Sequence, residues 1–508
     1  MNHTYLLGVD LGTTAIKAAL VTTEGEVVCS DTQEYTSITP CENAVEQRVD
    51  VYWNAFRTAL RDLLGRTGVP PCAIVALSLS VQGETLVFLD KDMQPVHNAI
   101  VWLDTRPQLE ADQINGWFSP QELLQVTGQG PITSLYPAAK ILWMSRTHPE
   151  EFERVARVLL LEDYFFLRLG GVCCGEGSLW CTSYMWDINT GDWWQPMLNR
   201  LGIRREQLPQ ILPTGTCLGK IRAGVAQELG LDPNTLLVMG ALDQACSAIG
   251  AGSVVPGIFT ESTGAALVVS TLSDHIVLVP GGELPCFYGA LPGSFMLHAG
   301  GKGGIAYRWL RDTVCQEEVR QAAQAHCSAY TLMDQEAMGV PPGSSGLTVL
   351  PFFGGAGAPD TDPYAKCMIY GLGLQHTKSH LIRGFMESIA VNIFRMVDYA
   401  EKATGLPVTQ IRTTGGGSKS PLWSQIKADV LGRPVITMQH TEDAACLGAA
   451  MIAGVGAGLW SSVPEIAPRW IRPDQTFEPD PATREAYDEL VGRYDRLLDC
   501  IKGKTRSL

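Results

Sequence analysis

Apolar positions at the start of the chain form two runs that are separated by small and polar residues. The first run covers 6–11 and the second covers 18–21, while Gly12, Thr13 and Thr14 open the segment between them. Two apolar runs around a short Gly/Thr-rich segment are typical of a β-hairpin with a polar tip. The tip has two interpretations, an ordinary tight turn or a turn that binds phosphate, and such a short pattern leaves both open.

The alternation of elements continues through the first half of the chain. Apolar and β-branched residues predict strands over 73–80 and 85–90, and apolar residues at helical spacing predict a helix over 51–64. The segment 150–169 is also predicted to be helical, and 236–246 passes from a strand into a helix. Alternating strands and helices indicate the α/β class.

Small residues and a proline over 250–257 interrupt this alternation. The next segment, 258–269, repeats the plan of the opening hairpin, and 411–431 adds a strand, a glycine-rich turn and a helix. A chain of 508 residues is also too long for one compact core. We therefore predict two domains, residues 1–252 and 253–508, whose shared plan suggests a duplication.

Composition and charge narrow the range of partners. The net charge of −15 disfavours nucleic acids and anionic membranes. No apolar stretch approaches the ~18 residues that span a bilayer. Since no leader pattern precedes the first strand, we expect a cytoplasmic protein whose 14 cysteines are free thiols.

Three Gly/Ser/Thr tips, at 12–14, 262–264 and 415–418, could converge on one nucleotide. None of them is a P-loop, because the nearest string, 215–221, has the wrong spacing and lacks the Ser or Thr after its lysine. No glycine trio fits a dinucleotide fingerprint either. These absences disfavour P-loop NTPases and dehydrogenases.

Two carboxylates stand where predicted strands end. Asp10 precedes the first tip, where an aspartate can hold a hydrated cation against phosphates. Asp243 lies between a strand and a helix, so it is either a helix N-cap or a base that takes a proton from an attacking hydroxyl. Position alone does not separate these two roles.

Polar residue types suited to a sugar follow two other strands. The segments 78–85 and 102–106 supply amide, carboxylate and indole groups that can bind hydroxyls and cover a C–H face. The alternative is a capped strand end and a surface Asp/Arg pair. His376 and His380 have the spacing of a metal pair but no intervening zincin Glu, so a metal is disfavoured there.

With these residues assembled, the chain resembles the FGGY carbohydrate kinase family. The resemblance spans nearly the whole chain and is carried by 10–17, 99–106, 240–243, 351–365, 414–423 and 442–450. It implies an α/β protein of two ribonuclease-H-like domains, as in actin-like ATPases, around a catalytic cleft. It further implies a small sugar or polyol substrate, with ATP and Mg²⁺ as cofactors.

The resemblance also implies roles for individual residues. Asp10 would hold the metal through water, and Asp243 would be the general base. The nucleotide would be bound by Gly12, Thr13, Thr14, Lys17, Thr263, Gly264, Gly304, Gly415, Gly416 and Ser418. The acceptor would be bound by Gln82, Glu84, Trp102, Asp104, Tyr136 and Asp243.

The acceptor loop departs from both of the patterns that it resembles. After Gln82 the chain has Gly83-Glu84-Thr85, where xylulokinases usually carry Met-His-Gly and glycerol kinases carry an Arg before the Glu. A pentulose kinase of the xylulokinase kind is favoured, and a glycerol or other polyol kinase is the alternative. A sugar sensor without turnover and an actin-like or chaperone ATPase are further readings, and a homodimer is a conceivable assembly.

Overall fold

The structure is a computed structural model, and it describes residues 4–264, 266–362, 364–439, 441–502 and 504. Ala265, in the predicted second hairpin over 258–269, and Pro363, in one of the segments that carry the resemblance, lie outside the described residues. No helix in the described ranges is long and apolar enough to cross a membrane.

The strands in chain order are β1 Tyr5–Leu11, β2 Ala15–Thr22, β3 Val27–Glu34, β4 Glu46–Gln47, β5 Ile74–Val81, β6 Leu86–Leu89, β7 Ala99–Ile100, β8 Arg157–Leu160, β9 Cys174–Gly175, β10 Trp186–Asp187, β11 Asp192–Trp193, β12 Gln210–Ile211, β13 Cys217–Lys220, β14 Leu236–Leu242, β15 Ile258–Thr263, β16 Ala266–Ser273, β17 Cys286–Tyr288, β18 Phe295–Lys302, β19 Thr348–Leu350, β20 Met368–Tyr370, β21 Gln410–Thr414, β22 Val435–Met438 and β23 Pro473–Phe477.

The α-helices are α1 Val49–Thr67, α2 Gln108–Asn115, α3 Pro120–Thr127, α4 Pro137–Thr147, α5 Pro149–Glu153, α6 Leu161–Gly170, α7 Gly177–Trp180, α8 Gln195–Leu201, α9 Ala223–Leu229, α10 Asp243–Gly250, α11 Gly304–Thr313, α12 Gln316–Ala325, α13 Ala329–Met338, α14 Lys378–Thr404, α15 Pro421–Leu431, α16 Ala444–Gly456, α17 Val463–Trp470 and α18 Arg484–Ile501.

Two compact units make up the chain. The first contains Met1–Val254, Ser273–Met296 and Asp443–Ile471, and the second contains Val255–Leu272, Leu297–Glu442 and Arg472–Leu508. The predicted division of the chain at 252/253 stays a prediction. Sequence reasoning missed that the segment 443–471, which is late in the chain, groups with the first unit.

The first unit is built on a six-stranded sheet in the order β13-β14-β5-β1-β2-β3. β1 pairs antiparallel with β2, as the opening hairpin pattern predicts, and parallel with β5. β5 in turn pairs parallel with β14. β1, β5 and β14 are almost wholly buried, which explains why they read as continuous apolar runs.

The second unit repeats this plan. Its strands β18, β16, β15, β21, β22 and β23 lie side by side in that order. β15 pairs antiparallel with β16 and parallel with β21, and β21 pairs parallel with β22. In each unit, the first strand of a hairpin pairs parallel with a second strand, which pairs parallel with a third. This shared plan supports the predicted duplication.

The predicted long helix over 150–169 is wrong. The segment holds the short helix α5, the buried strand β8 and the helix α6, and β8 pairs antiparallel with β6. Val158, Leu159 and Leu160 are fully buried in that strand. Pairing with a neighbouring strand thus overrides the helical spacing of the apolar positions, because both periodicities fit a short apolar run.

The helix α16 packs inside the first unit against α10 and β1. Glycines allow this close approach: a Cβ at Gly8 would lie 1.9 Å from Cys446 O, and one at Gly448 would lie 2.0 Å from Cys246 O. Any side chain would push these backbones apart. The run of small residues in α16 is therefore a packing surface.

Candidate active site

The turn that joins β1 to β2 is braced by side chains from other loops. Gly12 N–H donates to Ala15 O at 3.0 Å, and Gln82 Nε2 donates to Gly12 O at 3.0 Å. Trp102 Nε1 donates to Thr13 Oγ1 at 2.8 Å. The structure thus brings together four of the predicted site residues, Gly12, Thr13, Gln82 and Trp102, and Thr14 is exposed beside them.

Asp10 lies at the end of β1, partly buried. Ser80 Oγ donates to its Oδ1 atom at 2.7 Å. Burial raises the pKa of this carboxyl, while the hydrogen bond from Ser80 and the charge of Lys17 act in the opposite direction. Lys17 Nζ also lies 3.4 Å from Asp443 Oδ1, and a contact of this lysine with a phosphate stays a prediction.

Asp243 is the first residue of α10, and the N-cap is Leu242. Its Oδ1 accepts from Gln244 N–H at 2.7 Å, so the carboxylate still interacts with the helix N-terminus. Burial, followed by the charges of Asp10 and Glu84, raises the pKa of Asp243 well above its ordinary value. The three carboxylates therefore form one electrostatic group in the first unit.

Glu84 sits beside a buried lysine that sequence reasoning missed. Lys140 is fully buried, and its Nζ donates to the carbonyl oxygen of Glu84 at 3.2 Å. Burial lowers the pKa of Lys140 to about 7, although the charges of Glu84 and Asp104 oppose this shift. The only sequence signal is a lone lysine within the apolar helix α4, four residues after Tyr136.

Tyr136 is the N-cap residue of α4 and packs against Tyr184, with ring centroids 4.7 Å apart. Burial and the charge of Glu84 raise the pKa of the Tyr136 hydroxyl. Glu84 itself has a φ of 57°, a conformation that non-glycine residues rarely adopt. Tyr136, Glu84 and Lys140 thus belong to one corner of the first unit.

Asp104 is fully buried, so the expected alternative of a surface Asp/Arg pair is wrong. Its carboxylate accepts from Arg106 Nε at 2.9 Å and from Val45 N–H at 2.8 Å. These bonds fix the loop that follows Trp102. Asp104 therefore positions this loop, and a direct contact with an acceptor stays a prediction.

The second unit contains a cavity of about 520 Å³. Four of the predicted nucleotide residues line it, namely Thr263, Gly264, Gly304 and Gly416. Two others, Gly415 and Ser418, belong to the same turn, in which Ser418 Oγ donates to Gly415 O at 2.8 Å. The two glycine-rich tips of this unit, at 262–264 and 415–418, therefore lie at the same cavity.

Glycine is required at two positions in that turn. Gly415 has a φ of 74°, and a Cβ there would lie 2.9 Å from Ser262 Oγ. A Cβ at Gly417 would lie 2.8 Å from the Cβ of Thr263. Without side chains, the turn lies close against the end of β15 and leaves the cavity open.

Sequence reasoning missed the tyrosines and the aspartate that α11 and α13 add to the wall of this cavity. Tyr307, Tyr330 and Asp334 line it, and the two tyrosine rings stack with centroids 5.6 Å apart. Tyr307 Oη and Asp334 Oδ1 are buried without hydrogen-bond partners. Unpaired polar atoms beside stacked rings fit the hydroxyls, ring nitrogens and flat base of a nucleoside.

A buried ion pair lies beneath the cavity. Lys427 and Glu261 are both fully buried and form a salt bridge. Glu261 Oε2 also accepts from Thr263 Oγ1 at 2.6 Å, and Lys427 Nζ lies 3.3 Å from Thr413 Oγ1. The pair therefore ties β15, β21 and α15 together at the point where Thr263 reaches the cavity.

Comparisons with known proteins agree with this geometry. Residues 5–250 match the model of the FGGY family of carbohydrate kinases, N-terminal domain, and residues 266–457 match the C-terminal domain. The chain is 28% identical to a xylulose kinase of Bacillus subtilis, covering 99% of this chain and 98% of that protein. It is 30% identical to a glycerol kinase of Solidesulfovibrio magneticus, covering 97% and 98%.

The crystal structure of xylulose kinase from Lactobacillus acidophilus superposes with a TM-score of 0.90 at 25% identity, covering 99% of both chains. This similarity confirms the predicted fold class of two sheet-rich α/β domains of the actin-like ATPase kind. The chain belongs to the FGGY family of carbohydrate kinases. It is an ATP-dependent sugar or polyol kinase, as the resemblance implies.

Proposed function

We propose that the protein transfers the γ-phosphoryl group of ATP to a hydroxyl of a ketose or polyol, with Asp243 as the general base. The observation that carries this proposal is the position of Asp243 at the junction of β14 and α10, where burial and the charges of Asp10 and Glu84 raise the pKa of its carboxyl. A carboxylate with a raised pKa takes a proton from a hydroxyl more readily than an ordinary one does. Gln244 N–H holds the Oδ1 atom in place for that task.

The nucleoside of ATP occupies, in this proposal, the cavity that Tyr307 and Asp334 line. Asp10 holds Mg²⁺ through water, since Ser80 engages only its Oδ1 atom and leaves Oδ2 for a hydrated cation. Bound there, Mg²⁺ would supply positive charge that offsets the negative charge developing on the transferred phosphoryl group. Thr13, whose Oγ1 accepts from Trp102 Nε1, is the hydroxyl of the hairpin that this proposal assigns to the phosphates.

For the substrate we propose a pentulose. The xylulose kinase of Bacillus subtilis aligns over almost the whole chain, and the buried corner of Glu84, Tyr136 and Lys140 offers groups that bind hydroxyls. Glycerol is the competing substrate, because a glycerol kinase is similar to the same extent. A cytoplasmic location and a homodimer stay predictions.

An ADP-release assay over a panel of ketoses and polyols tests the activity and the substrate together. We expect a pentulose to give the highest kcat/KM, with glycerol lower, and the Asp243→Asn variant to serve as the blank. If glycerol gives the highest kcat/KM, the substrate is glycerol and not a pentulose. ADP release of equal size without any sugar would contradict a sugar kinase and favour an ATPase.

Replacing Asp334 tests the nucleoside cavity. Burial raises the pKa of Asp334, and its Oδ1 atom lacks a hydrogen-bond partner. We expect Asp334→Ala to raise the KM for ATP about 10-fold, since a lost hydrogen bond to a ligand costs on the order of 1.5 kcal/mol. The KM for the sugar should not change.

The matched control is Asp312→Ala. Asp312 is a half-exposed residue of α11 that pairs with Arg311 of the same helix. This variant should keep the KM for ATP of the unchanged protein. An Asp334→Ala protein with an unaltered KM for ATP would exclude Asp334 from nucleotide binding.

A further inference from the structure

A cluster of two imidazoles and a carboxylate in the first unit includes none of the groups assigned to phosphoryl transfer. His97, His148 and Glu151 each offer one ligand atom, and these atoms lie within 4.8 Å of one another. His97 Nδ1 is 2.8 Å from Glu151 Oε2, and His148 Nδ1 is 3.9 Å from the same oxygen. Among the described residues, this is the one group of three or more metal-ligating side chains with such spacing.

These distances are close to those of a metal site. Two ligands of a tetrahedral Zn²⁺ with bonds of about 2.1 Å lie roughly 3.4 Å apart, between the two measured values. The side chains of His148 and Glu151 are 31% and 36% exposed, so both can turn slightly to close around an ion. Their exposure also leaves a fourth position for water.

The surroundings of His97 match the outer shell of a metal site. Its Nε2 atom faces Glu46 Oε1 at 3.4 Å, on the side of the ring away from Glu151. Metal-bound histidines usually donate their second N–H to such a carboxylate, which fixes the ring and raises its basicity. Glu46 is itself held by Asn98 Nδ2 at 2.9 Å and Arg106 at 2.7 Å.

The corner between α4 and α5 fixes the positions of the other two ligands, His148 and Glu151. His148 stands between α4 and α5, as the C-cap of one helix and the N-cap of the other. Glu151 follows three residues later, in the first turn of α5. The His148 ring packs against Trp143 and His97, with centroids 5.1 Å and 4.8 Å apart.

We propose that His97, His148 and Glu151 form a binding site for Zn²⁺ or a similar transition metal, with Glu46 as the outer partner of His97. Imidazole and carboxylate ligands suit Zn²⁺, Ni²⁺ and Cu²⁺ better than Mg²⁺, so this site is chemically distinct from the one proposed at Asp10. Bound metal joins the β6–β7 loop to the α4–α5 corner. It therefore stabilises the folded first unit.

Zn²⁺ titration of the metal-free protein by calorimetry tests this site. We expect one ion per chain, and His148→Gln should weaken its binding by at least about 100-fold, since loss of an outer partner alone costs 10–100-fold. Glu46→Gln should weaken it within that smaller range. Equal affinity and stoichiometry in the unchanged protein and in His148→Gln would overturn the proposal.

Two controls separate this site from other ligands. His380→Gln alters the other histidine pair, whose His376 Nδ1 already accepts from Gly373 N–H at 2.8 Å, and should leave binding unchanged. Co²⁺ should give weak visible bands without intense thiolate absorption. Thiolate bands that persist in His148→Gln would assign the ion to cysteines and refute the site, and thermal melts of the metal-free variants check that each still folds.

Discussion

The Asp243→Asn variant is expected to bind ATP and sugar normally but to turn over about 10²–10⁴-fold more slowly, the range for loss of a general base. The amide keeps the size of the side chain and can still accept from Gln244 N–H, so α10 should keep its first turn. It cannot take a proton from the attacking hydroxyl. Steady-state kinetics together with calorimetric binding of each ligand measure the two halves of this expectation.

The pH dependence of the same protein gives a second readout. Burial and the neighbouring charges of Asp10 and Glu84 raise the pKa of Asp243, and the base acts only when it is deprotonated. We therefore expect kcat/KM to rise with pH through a value above the ordinary ~3.9 of an aspartate. This acid limb should be absent from the residual activity of Asp243→Asn.

Asp187→Asn is a suitable control, because Asp187 caps a turn of the same unit by accepting from Asn189 N–H at 2.9 Å. It should keep near-normal turnover and the acid limb. Near-normal sugar phosphorylation by Asp243→Asn would remove Asp243 from the role of base, and weakened binding of both ligands would make its role structural.

Local patterns in the sequence predict the parts of the site that a single turn builds. The hairpin around Gly12 and Thr13, the start of α10 at Asp243 and the turn before Pro421 all follow from neighbouring residues, and the structure confirms these elements. Glycine and short polar residues mark turns because few other residues fit their backbone conformations.

Such local patterns do not predict contacts between segments that are distant in the sequence. Asp334 and Tyr307 line one cavity because the fold brings the Tyr307 ring of α11 onto the Tyr330 ring of α13, and nothing in their local sequence distinguishes them from surface helix residues. Lys140 is unusual in an apolar helix, and only the fold shows that its Nζ donates to the carbonyl oxygen of Glu84. The sequence of α16 is that of any apolar helix, so its grouping with the first unit depends on long-range packing alone.

Lys427 provides the sharpest stability prediction, because it is fully buried and paired with the fully buried Glu261. Lys427→Met should lower the free energy of unfolding by about 3–5 kcal/mol, since it leaves a carboxylate buried without a cation. Its Nζ also lies 3.5 Å from Thr263 Oγ1, so the KM for ATP should rise as well. Urea denaturation followed by tryptophan fluorescence measures the first effect, and ATP kinetics measure the second.

A double variant and a surface control separate charge from packing. Adding Glu261→Gln to Lys427→Met removes the unpaired charge and should restore a large part of the lost stability, because replacing both members of a buried pair is often tolerated. Lys402→Met breaks an exposed pair with Asp398, 73% and 43% exposed, and should change stability little. If the double variant is no more stable than Lys427→Met, the loss comes from packing around Trp423, whose ring lies 5.1 Å from Lys427 Nζ, and not from the buried charge.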